Sequence, residues 1–142
     1  MNRTAIVVSF YNSSDNELLR ITPTIKGIEN DKILYPDPIY EQTVFTQVLL
    51  PVNPASDMMS FSIQNGDDPA DIIIFHYTRH PRLVSPECGC ATFAEILSVD
   101  IEIQDDIERT NIIERWEFVN PKVTTVSYRQ GIFNAENIRI YY

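Results

Sequence analysis

Val99-Asp100-Ile101-Glu102-Ile103-Gln104 alternates apolar and polar residues without a break. Successive side chains of an extended chain point to opposite faces. Val99, Ile101 and Ile103 therefore share one face, and Asp100, Glu102 and Gln104 the other. This is the pattern of a strand with one side on a core and one in water. Two further stretches repeat it. In Met59-Ser60-Phe61-Ser62-Ile63-Gln64 the inward set is Met59, Phe61 and Ile63, and in residues 137–142 Ile138, Ile140 and Tyr142 oppose Asn137, Arg139 and Tyr141.

Less regular strands are expected on either side of these. Residues 5–11 carry Ile6, Val8 and Phe10 on one face, and residues 18–25 place Leu19 and Ile21 together. Residues 43–52 and 72–75 are apolar on both faces, which suits a central strand or one between two layers. Residues 112–119, with the single Trp116, and residues 122–128 complete the set. The joints carry turn chemistry. Asn65-Gly66-Asp67-Asp68-Pro69 reads as a hairpin turn, Tyr35-Pro36-Asp37-Pro38 as an extended loop, and residues 104–110 as the link of another hairpin. The best helical spacing is Phe93, Ile96 and Leu97 in residues 91–97, a stretch that is short and reads equally well as strand. About nine short strands at this spacing imply an all-β fold, an antiparallel β-sandwich, for which an immunoglobulin-like order is one arrangement. At 142 residues the chain suits one domain spanning residues 1–142.

Composition agrees. The chain is 44% hydrophobic, with seven Tyr, seven Phe and only four Gly, so it is rich in residues that fit a pleated surface. The formal net charge of −9 argues against a nucleic-acid partner, which needs clustered Lys and Arg, and against electrostatic docking on an anionic membrane. No apolar run is long enough to cross a membrane as a helix. Residues 1–4 lead straight into a strand with no signal-peptide pattern, the look of a cytosolic protein or of a mature exported chain.

Chemistry concentrates in residues 76–90. Cys88-Gly89-Cys90 places two thiols around a flexible glycine. On an extended strand their Cα atoms would lie roughly 6.6 Å apart, near the upper limit for a disulfide, so a bridge there would be strained and easily reduced. The alternative is two buried, unreactive thiols. His76, His80, Cys88 and Cys90 supply four metal-ligand side chains within fifteen residues. On a strand, however, His76 and His80 would stand roughly 13 Å apart, and a shared ion would require a bend near Pro81. Without one, His76 is a half-buried strand residue. Arg79 and Arg82 form a small basic cluster able to hold a carboxylate. Tyr35 and Tyr40 flank the proline loop and are the best exposed rings for a sugar or a peptide. Asp67, Asp68 and Asp71 crowd one turn and Asp105, Asp106 and Glu108 another, where turn chemistry explains them. No catalytic triad and no phosphate-binding glycine loop appears, and no cofactor is expected.

Two stretches carry a family resemblance. Val84-Ser85-Pro86-Glu87-Cys88-Gly89-Cys90, together with Val119-Asn120-Pro121-Lys122-Val123 and the ending Glu136-Asn137-Ile138-Arg139-Ile140-Tyr141-Tyr142, resembles an uncharacterised family of small exported lipoproteins from Bacteroidetes. The resemblance implies export to the cell envelope, with a lipid anchor upstream of residue 1, and supplies no known activity. The expectation is a non-enzymatic envelope domain that binds or scaffolds a protein or a glycan, its contacts made by the loops 32–42 and 79–90. The alternatives are a thiol-redox or metal protein using Cys88 and Cys90, and a carbohydrate-binding module using exposed tyrosines.

Overall fold

The alternating stretches become strands, and the strands build two hydrogen-bonded layers that share one long strand. In the computed structural model the described residues are 2–36, 42–53, 55–79, 92–104, 108–129, 132–133 and 136–142. For 2–4, 79, 92–93, 124–129 and 132–133 the backbone alone is described. The strands are β1 (Asn2–Tyr11), β2 (Pro23–Gly27), β3 (Ile33–Tyr35), β4 (Gln47–Pro51), β5 (Met58–Asn65), β6 (Asp71–Arg79), β7 (Thr92–Glu102), β8 (Arg115–Phe118), β9 (Lys122–Arg129), β10 (Ile132–Phe133) and β11 (Ile138–Tyr141). Among the described residues there is no helix.

Hydrogen bonding runs β3-β2-β5-β6-β7-β9-β1-β11-β8, with β4 on β1 and β10 on β9. β1 turns this path from one layer into the other. Its first residues pair with β9 and its last four run parallel to β11. Its opposite edge pairs antiparallel with β4 from Ala5 to Ser9. One layer is thus β3-β2-β5-β6-β7-β9 and the other β4-β1-β11-β8. On one side the layers are stitched by Ile21 and Phe45, which exchange backbone hydrogen bonds at 2.9 Å. The all-β sandwich class holds. Within it, β5, β6 and β7 lie side by side in chain order as a meander, whereas immunoglobulin sheets interleave strands from distant parts of the chain.

The core lies between the layers. Ile6, Val8 and Phe10 of β1 meet Phe61 and Ile63 of β5, Ile73 and Phe75 of β6, and Ile138 and Ile140 of β11. β4 is apolar on both sides because it is buried on both. Val48 and Leu50 face the main core, and Leu49 joins Ala5 and Val7 on the opposite face.

Three details depart from the sequence pattern. Of residues 91–97, residue 91 lies outside the described residues and 92–97 are strand, with a bulge that explains their helical spacing. Ser98 pairs with His76 but Ile96 pairs with Tyr77, so Leu97 is an extra residue. The inward set therefore shifts from Val99 and Ile101 to Ile96 and Ala94. Residues 18–25 divide, with Leu18 bridging to Tyr11 and Ile21 to Phe45 before β2 begins at Pro23. Residues 104–110 do not link a hairpin. β7 pairs with β6 and β9, whereas β8 pairs with β11, so the strands on either side of this segment belong to different layers; residues 105–107 themselves lie outside the described residues. The hairpin at residues 65–69 forms as expected, with Gly66 at φ 63°, where a side chain would be strained.

Asn137 fills the point where β1 changes partner. It is 2% exposed. Its Oδ1 accepts the Val7 N–H at 2.9 Å, and its Nδ2 donates to the Asn120 and Lys122 carbonyls, both at 2.9 Å. The amide thus completes backbone hydrogen bonding that the two diverging strands cannot supply. Asn137→Ala would strand one N–H and two carbonyls. The Val7 N–H is the fully buried one of the three, and with a buried unpaired group costing about 1–3 kcal/mol the expected loss in chemical denaturation is at least about 1–3 kcal/mol, while an unchanged midpoint would contradict this role.

Candidate functional site

Polar side chains gather in two places. The first is the seam between β7 and β8, the side where no backbone ladder joins the layers. Asp71 opens β6 in phase with Ile73, Phe75 and Tyr77, so its carboxylate points inward, where it is 1% exposed. Arg109, on the crossing segment, meets it end-on. Nη1 donates to Oδ1 and Nη2 to Oδ2, both at 2.6 Å, and the two side chains are 2% and 1% exposed. Two further Arg109 N–H groups donate to the carbonyls of Gln104 (2.7 Å) and Asn111 (2.9 Å). Asp71 Oδ1 also accepts the Gln104 N–H at 2.8 Å.

Asp68 grips the same segment. Its oxygens accept the N–H groups of Thr110 (2.9 Å) and Asn111 (2.6 Å). These backbone bonds, Thr110's first, hold its carboxyl below the usual aspartate value. Tyr142 lies beside the cluster, and burial together with the Asp71 charge pushes its phenol well up. Trp116 closes the seam from β8, its indole N–H donating to the Val99 carbonyl at 3.4 Å. The carboxylates of Asp68 and Asp71 and the guanidinium of Arg109 are spent on one another and on the backbone, so the cluster is a structural lock.

The second gathering is on the outer face of β1, β11 and β8, where Ser9, Arg139 and Glu117 stand opposite one another, as do Tyr11, Tyr141 and Arg115. Arg139 Nε donates to Glu136 Oε1 at 2.7 Å, the Tyr11 hydroxyl to Glu136 Oε2 at 2.8 Å, and the Tyr141 hydroxyl to Glu117 Oε1 at 2.7 Å. Burial pushes the Glu136 carboxyl up, but hydrogen bonds from Ser9, Arg139 and Tyr11 outweigh it and hold the group below its usual value. Arg115 lies 3.9 Å over the Tyr141 ring and Arg139 4.8 Å over Tyr11. One face of each ring is thus covered by a guanidinium.

The residues expected to carry function fare unevenly. Tyr40, His80, Arg82, Cys88 and Cys90 lie outside the described residues, and of Arg79 only the backbone, closing β6, is described. His76 is exposed on the outer face of β6 rather than half-buried, opposite Met58 and Ser98. Tyr35 is not an exposed ring. It packs against the core, edge-on to Phe45 with centroids 4.9 Å apart. Its oxygen accepts the Leu49 N–H at 2.8 Å, on the edge of β4 that β1 leaves free. Asp100 and Glu102 are exposed, as expected. Among the described residues, no three His, Cys, Asp or Glu side chains come together to hold a metal.

Sequence reasoning missed Asp71 and Arg109 as a pair. The legible sign was phase: an Asp in step with three inward apolar residues needs a buried partner.

The family of unknown function DUF6452 matches residues 22–142, which include every strand from β2 onward. The chain belongs to this family. No curated protein and no solved structure matches it.

In this DUF6452 chain Tyr35 is an edge cap. Tyr35→Phe keeps the ring and leaves the Leu49 N–H without its phenolic acceptor. Denaturant titration is expected to show a loss of about 1–3 kcal/mol, and an unchanged midpoint would show that the cap contributes nothing.

Proposed function

We propose that this DUF6452 domain is a non-enzymatic binding or scaffolding domain of the cell envelope, carried on an exported, lipid-anchored chain. The supporting observation is how its polar groups are used. Asp68, Asp71 and Arg109 are consumed in locking the two layers, and Glu136, Arg139 and Tyr11 satisfy one another on the surface. Among the described residues, what remains available is broad strand surface, of the kind by which β-sandwiches present themselves to partners. The envelope location rests on the resemblance of residues 84–90, 119–123 and 136–142 to exported lipoproteins. The net charge of −9 favours a protein or glycan partner over nucleic acid.

Fractionation of the native cells tests the location. The protein is expected in the membrane fraction, released by detergent and not by high salt. Recovery in the soluble cytoplasmic fraction would overturn the envelope reading.

A further inference from the structure

The outer face of the β5-β6-β7 meander is more apolar than a solvated sheet face needs to be. Pairing places Ser62 opposite Ile72, Ser60 opposite Ile74 and Met58 opposite His76. Ile72 and Ile74 form a half-buried ridge along the central strand. Met58 beside it is 43% exposed, and Leu97, extruded by the β7 bulge, is 63% exposed. On the other flank, Lys26 pairs with both Ser62 and Ile33, and Ile28 donates its N–H to the Ser60 carbonyl, which carries the face onto β2 and β3. Ile28 is 46% and Ile33 54% exposed. Four of the large exposed apolar side chains thus gather around one ridge. Contiguous apolar surface of this kind marks an interaction site.

Its rim is acidic. On β7, Asp100 stands opposite Ile74 and Glu102 opposite Ile72, with Glu95 opposite Thr78. On the other side Glu29 accepts the Ser60 hydroxyl at 3.3 Å. Lys26 lies beside this rim on β2, and Lys122 of β9 stands opposite Glu95, which leaves Asp100, Glu102 and Glu29 without a cation opposite them in these pairings. A second copy of the chain would set like charges against each other, which disfavours self-association through this face. A nucleic acid is disfavoured by the same charge.

Resting on the binding-domain reading, we propose that this face is the docking surface for a protein partner that presents an apolar centre rimmed by Lys or Arg. The small Ser60 and Ser62 side chains stand opposite Ile74 and Ile72, so the partner's apolar residues close over the ridge while its cations meet Asp100 and Glu102 on the other flank. The face is ladder-bonded on both sides of β6, so little order has to be gained on binding.

The test uses the full chain and a defined probe, an amphipathic Lys/Leu peptide, with its Glu/Leu counterpart as control. Amide shifts are followed by NMR. The Lys/Leu peptide is expected to shift Met58, Ile74 and Asp100, to bind more weakly as salt is raised, and to lose at least about tenfold in affinity against a chain carrying Ile74→Ser and Asp100→Lys. These positions lie on the outer face, and the variant's own spectrum shows whether it is folded. Absence of binding at millimolar peptide, equal binding of the Glu/Leu peptide, or shifts confined to another face would each overturn the proposal. Shifts on another face in a protein that still fractionates with the membrane would reject this face and leave the envelope domain standing. Recovery in the cytoplasm with this face engaged would do the reverse.

Discussion

The buried pair of Asp71 and Arg109 is the constraint on which the two-layer arrangement depends. Backbone ladders join the layers through β9 and β1, and the Ile21–Phe45 exchange joins them on one flank. On the other flank β7 and β8 meet without a ladder, and the chain between them must cross from one layer to the other. The pair fixes where it crosses. A guanidinium with four hydrogen bonds to three different residues accepts one geometry, whereas an apolar plug would accept several. Desolvating two charges is costly, so the pair contributes more to position than to net stability. Removing one partner is far worse than replacing both.

Asn137 and Tyr35 solve the same problem elsewhere. Wherever a sandwich opens its hydrogen bonding, an N–H or carbonyl is left facing the interior or a bare edge. Asn137 supplies an amide where β1 leaves β9 for β11, and Tyr35 supplies an oxygen at the free edge of β4. Trp116 does so at the seam. Side chains thus finish ladders that the backbone begins. This leaves the outward face of the meander as a rigid surface with no such duty, and it is there that the proposed docking surface lies.

The parts legible in the sequence were those governed by local period. Met59, Phe61, Ile63, Val99, Ile101, Ile138 and Ile140 face inward from strands as their alternation implied, whereas Ile103 lies past the end of β7 and is 39% exposed, and Asn137 and Tyr141, expected on the outer side, are buried. Leu97 was not legible, because one inserted residue in a strand changes the period of its neighbours into something close to helical spacing. The crossing at residues 104–110 has the Asp-rich composition of a hairpin turn, and composition does not say which strands pair. For the site, Asp68 and Asp71 read as turn residues, yet both are buried, and although the phase of Asp71 with Ile73 and Phe75 is a sign of this, its partner is 38 residues away and no local pattern connects them. Tyr35 looked exposed because prolines follow it, yet its oxygen caps a residue 14 positions on. The thiol and basic residues of 79–90 drew the eye by chemistry, while the groups that hold the structure together were ordinary Asp, Arg and Asn.

The central claim is that the seam is held by Asp71 and Arg109 acting as one unit, and a double-mutant cycle tests it most directly. Asp71→Asn, Arg109→Met and the double variant would be unfolded in denaturant. Each single change should cost about 3–5 kcal/mol by leaving a buried group unpaired, and the double should cost less than their sum by well over about 1 kcal/mol. Single losses under about 1 kcal/mol, or losses that simply add, would contradict the account.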